Sequence, residues 1–61
     1  MKLVNVPVLD SQFECTINAD QVRMLMPEEK YGREVTRVVF SEDQVMYIDW
    51  PYGQTLAALK Q

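Results

Sequence analysis

Cys15 is the only thiol in the chain, and no histidine accompanies it. A hydroxyl or thiol nucleophile for acyl transfer needs a neighbouring base, and histidine is the commonest one. Lysine could take that role only where burial lowers its pKa, whereas Lys2, Lys30 and Lys60 fall near the termini or in an expected polar loop. The paired carboxylates Glu28-Glu29 and Glu42-Asp43 are sequence neighbours in expected turns, with no apolar pocket to divide them into an acid and a base. Neither pair belongs to a run that alternates oxygen ligands toward a terminal glutamate, as a calcium loop does. One cysteine without histidine leaves zinc short of ligands and leaves no partner for an internal disulfide. The inventory therefore predicts no enzyme, no metal site and no cofactor site. Cys15 itself, with no CxxC partner and no adjacent cation, is expected to be a small buried hydrophobe.

The body that would carry these residues is one domain, 1–61, because chains of this size do not subdivide. An apolar share of 48% beside 25% charged residues is that of a folding chain, not a disordered one. The longest apolar runs, Val38-Val39-Phe40 and Met24-Leu25-Met26, are far short of the roughly 20 residues that a bilayer span requires. Asn5, Pro7 and Asp10 interrupt the start before a signal-peptide core can develop, so the expected location is the cytoplasm. Nine acids against six bases give a net charge of −3, which opposes attraction to phosphate backbones.

Alternation from Leu3 to Leu9 predicts a strand, placed at a sheet edge because Pro7 has no N–H to donate. Asp10-Ser11 is turn chemistry, and Gln12 to Ile17 returns with Phe13, Cys15 and Ile17 on one face. Asn18, followed three residues later by Gln21, forms a capping pattern that predicts a short helix over Ala19 to Leu25, halted by Pro27. Glu28 to Arg33 reads as a polar loop with Gly32 free to take a positive φ. A second hairpin is expected from Glu34 to Phe40 and from Val45 to Trp50, joined by Ser41-Glu42-Asp43-Gln44. Pro51-Tyr52-Gly53 reads as a tight turn and Gln54 to Lys60 as a short helix. The expected fold is α+β, in the order ββαββα: two antiparallel hairpins in one small sheet, a short helix between them and a short C-terminal helix.

A domain this small buries only about 60% of its unfolded surface, so part of its apolar inventory must remain uncovered. On the expected helix Val22, Leu25 and Met26 share a face and Met24 points away from it. Tyr47, Trp50 and Tyr52 add more aromatic surface than so short a chain can enclose, and aromatics of this kind anchor interfaces. Met24, Met26, Tyr47, Trp50 and Tyr52 are accordingly the expected partner-binding residues. The partner is expected to be another protein, with self-association to a homo-oligomer and with nucleic acid disfavoured.

The run Ile17-Asn18-Ala19-Asp20-Gln21-Val22, then Met26-Pro27, then Thr36 to Phe40 turning into Val45-Met46-Tyr47-Ile48, resembles the small flagellar-operon FlbD-like family. That resemblance implies a β-rich accessory protein in which a strand passes through an asparagine into a short turn or helix and then a hairpin. It implies no catalytic constellation. The chain departs from the family in its longer first hairpin, in lacking glycine at both hairpin turns, and in ending Trp50-Pro51-Tyr52-Gly53. The expected function is thus a non-catalytic bacterial or phage-type accessory or regulatory protein that acts by protein–protein binding. Two alternatives stand beside it: an acidic phage-type inhibitor occupying a host enzyme's nucleic-acid-binding surface, and a small RNA or DNA contact module using Arg23, Arg33 and Arg37.

Overall fold

A side-chain period of two governs more of the chain than the sequence reading assigns to it. The computed structural model describes residues 1–60: strands β1 (Leu3–Pro7) and β2 (Glu14–Asn18), a single 3-10 turn (Ala19–Gln21), strands β3 (Met24–Lys30), β4 (Arg33–Ser41) and β5 (Gln44–Ile48), and helix α1 (Tyr52–Lys60). β1 and β2 form a two-stranded antiparallel sheet, and β3, β4 and β5 form a three-stranded antiparallel sheet in that order. The class is α+β, but there are two sheets instead of one, and the helix expected between the hairpins is replaced by one 3-10 turn and a strand.

The replaced helix has a physical reason. Seven residues before Pro27 are too few to repay helix nucleation, whereas Met24 to Lys30 pair along their whole length with β4, from Met24 opposite Val39 to Lys30 opposite Arg33. Pro27 is tolerated because β3 is an outer strand. Asn18 still caps, its side-chain oxygen accepting from the Asp20 N–H, but only one turn follows. The expected polar loop over Glu28 to Arg33 is instead the tip of the β3–β4 hairpin. Tyr31 (φ 55°) and Gly32 (φ 75°) occupy its two turn positions, the pair of positive φ values that a type I′ turn requires.

β1 is not an edge. It pairs with β2 on one side, and beyond Pro7 a single bridge joins Val8 to Ile48 of β5. The Leu9 N–H donates to the Tyr47 carbonyl and the Asp49 N–H to the Pro7 carbonyl. Proline has no N–H with which to return the second bond, so backbone pairing between the two sheets stops there.

The core is the cluster Val6, Ile17, Val38 and Ile48, closed by Val4, Val22, Leu25, Phe40, Met46, Trp50 and Leu59. Each fully buried aliphatic side chain in it contributes about 1.5–3 kcal/mol. The helix begins at Tyr52, two residues earlier than the sequence reading, because the Glu34 carboxylate accepts the Tyr52 N–H at 2.8 Å and satisfies a helix-start donor. At its other end Lys2 Nζ donates to the Leu59 carbonyl at 2.7 Å, a cation placed where the helix dipole favours one.

Candidate functional site

Register decides which residues share a face. In the three-stranded sheet Leu25, Val38 and Met46 lie opposite one another and face the core. The residues between them therefore project from the other face, in two cross-strand rows: Met24, Val39 and Val45, then Met26, Arg37 and Tyr47. Met24 is 51% exposed and Val45 41% exposed, and none of the six packs against the core cluster. A strip of thioether, β-branched and aromatic surface thus lies open on the side of the sheet away from β1, β2 and α1.

Charge on this face runs against the rest of the molecule. Lys30, Arg33 and Arg37 on it stand against Glu28 and Asp49, whereas the chain as a whole carries −3. Lys30 Nζ sits 4.8 Å from the Tyr47 ring centroid, a cation–π contact that holds the ring against the sheet. Arg33 is bound to Asp49 at 3.0 Å. Arg37, half-buried between Met26 and Tyr47, forms no ion pair among the described residues. Val35 lies along the same face fully buried, and its neighbours there are Glu28, Arg33 and Arg37, whose long stems can cover a small side chain.

The five expected contact residues separate. Met24, Met26 and Tyr47 come together on the open face. Trp50 packs against the core cluster, and its carbonyl accepts from the Thr36 hydroxyl at 3.0 Å. Tyr52, half-buried, begins α1. Sequence reasoning missed Val39, Val45 and Arg37 as members of the face. The available signal was Met24 itself: a methionine that fits no helical face fits a strand alternating Met24, Met26 against Leu25.

Cys15 is exposed, contrary to expectation, because β2 extends past the core: Ile17 is covered while Cys15, two residues earlier on the same side, is not. It lines an open groove of about 440 Å³ with Ile17, Phe40, Val45 and Met46. Among the described residues no three Cys, Asp or Glu side chains gather as a metal site would need. Several acids are engaged within the molecule: Asp10 accepts from the Tyr31 hydroxyl, Asp49 pairs with Arg33 and Glu34 caps the helix. No helix among the described residues is long and apolar enough to cross a membrane. Comparison with known proteins gives no match to a family model, a curated protein or a solved structure.

Proposed function

We propose that the protein is a small, non-catalytic accessory or regulatory protein of the cytoplasm that acts by binding another protein through the open face of β3–β4–β5, and that it also self-associates. The observation that carries this reading is the pair of cross-strand rows with an unpaired arginine at their centre. Methionine, tyrosine and arginine are the side chains enriched where proteins meet. The occupant that suits the face sets apolar side chains on Met24, Val39 and Val45 and brings a carboxylate to Arg37. A desolvated arginine–carboxylate pair supplies the specificity that apolar contact alone lacks. An exposed, unpaired Cys15 is compatible with a reducing compartment.

The path from β2 through Asn18 into one turn and then a hairpin is the arrangement that the FlbD-like resemblance implies, and it supports the accessory role. Engagement of Asp10, Glu34 and Asp49 within the fold weakens the case for an acidic mimic of nucleic acid. Capture from the native host with wild-type chain, Met24→Lys, Arg37→Glu and Glu42→Lys tests the reading. A partner that is retained by Glu42→Lys and lost with both face variants, while all fold alike by circular dichroism, is expected. Retention by both face variants overturns it.

A further inference from the structure

Of the four outer strands, β1 and β5 meet at the Val8–Ile48 bridge, which leaves β2 and β3 without any such contact, and the sequence treats these two differently. β3 holds Pro27 and the charged run Glu28-Glu29-Lys30, two devices that deter the addition of another strand. β2, Glu-Cys-Thr-Ile-Asn, holds neither proline nor lysine, and Glu14, Cys15 and Thr16 are exposed. The Ala19 N–H donates to the Lys2 carbonyl, which fixes the alternation: residues 15, 17 and 19 turn their peptide groups toward β1, and Glu14, Thr16 and Asn18 turn theirs outward. That outward row has no strand partner among the described residues.

We infer that β2 pairs antiparallel with β2 of a second copy, about a two-fold axis through Thr16. This rests on the proposal that the chain self-associates and names the surface that does it. The strand is complementary to itself in that register. Thr16 faces Thr16 of the second copy, Cys15 faces Ile17, and Glu14 faces Asn18, so no like charges meet. Asn18 uses its Oδ1 to accept from the N–H groups of Lys2 and Asp20, which leaves its Nδ2 to donate to the carboxylate of Glu14 across the axis. The arrangement is isologous: one two-fold consumes the free edge of both copies and closes the assembly as a dimer.

Position 16 lies opposite itself only in this register, and charge reversal there tests it. Thr16→Lys and Thr16→Glu are each expected to raise the dimer Kd by roughly five- to tenfold in sedimentation equilibrium, with circular dichroism unchanged. An equimolar mixture of the two is expected to recover association as a heterodimer. Both variants associating like wild type, or a mixture no tighter than its components, overturns the edge pairing. If Val45→Lys alone abolishes the dimer, copies meet through the open sheet face instead, and the protein-binding reading stands without the edge. A wild-type chain that stays at 7.1 kDa at millimolar concentration removes self-association altogether, while loss of a captured partner with Met24→Lys is read separately.

Discussion

The Thr36 and Thr55 hydroxyls lie 2.8 Å apart with no solvent exposure at either residue, and they bolt α1 to the middle of β4. Thr36 Oγ1 also lies 3.0 Å from the Trp50 carbonyl and Thr55 Oγ1 3.2 Å from the Pro51 carbonyl; the two hydroxyl protons fill two of these three contacts at a time, one hydroxyl donating to the other and the acceptor donating to its carbonyl, and the pair anchors the entry to the helix. Replacing one hydroxyl leaves its neighbours under-satisfied in a dry site. Thr36→Val is expected to lower unfolding free energy by about 1–3 kcal/mol, and the double Thr36→Val, Thr55→Val variant by less than the sum of the single losses. Urea unfolding of the four proteins completes the cycle.

The Tyr31 hydroxyl donates to Asp10 Oδ2 at 3.0 Å, joining the turn after β1 to the turn before β4. That hydrogen bond first, then the negative charge of Asp10 and some desolvation, raise the phenol pKa above its ordinary 10.0. The folded state therefore holds the phenol proton more tightly than the unfolded chain does. Whatever stability the bond supplies is complete below pH 10 and fades as pH climbs through the raised folded value. Asp10→Asn, which keeps a residue tolerant of the positive φ at this position, is expected to bring the phenol titration down toward 10.0 when tyrosinate absorbance is followed.

Glu34 acts as a helix cap supplied from a distant strand. Glu34→Ala is expected to cost about 0.5–2 kcal/mol and to fray the first turn at Tyr52 and Gly53, which amide hydrogen exchange reads directly.

The two faces of β5 provide an internal comparison. Ile48 is fully buried opposite Thr36, and Ile48→Ala is expected to cost about 2–5 kcal/mol, enough to unfold much of the population of so small a domain. Val45, on the open face, is expected to change stability by no more than about 0.5 kcal/mol as alanine. Comparable losses at both positions in thermal unfolding would contradict the register.

Both terminal segments and the Glu34–Ile48 hairpin were legible because alternation, turn residues and helix propensity agree there. The stretch from Ala19 to Lys30 was not, since Asn18 and Gln21 wrote a helix start over residues whose long-range pairing with β4 decides the outcome. A cap is a local signal and a ladder is a non-local one; with Pro27 limiting the helix to seven residues, the ladder prevails. The face formed by Met24, Val39 and Val45 inherits that difficulty, because its members lie on three strands and only the register assembles them. Met24 and Tyr47 could be picked out singly as surplus, but Arg37 became informative only once Met26 and Tyr47 flanked it.

Pro7 leaves one bridge, Val8 to Ile48, as the backbone seam between the sheets. Transmission of force or thermal agitation from one sheet to the other must then travel through interlocked aliphatic side chains instead of a zipper of amides. The first hairpin is held to the rest chiefly by Val6 and Ile17, which share the buried cluster with Val38 and Ile48. Any neighbour that clasped β2 would grip the strand that carries Ile17, so occupancy at the rim would load the centre directly.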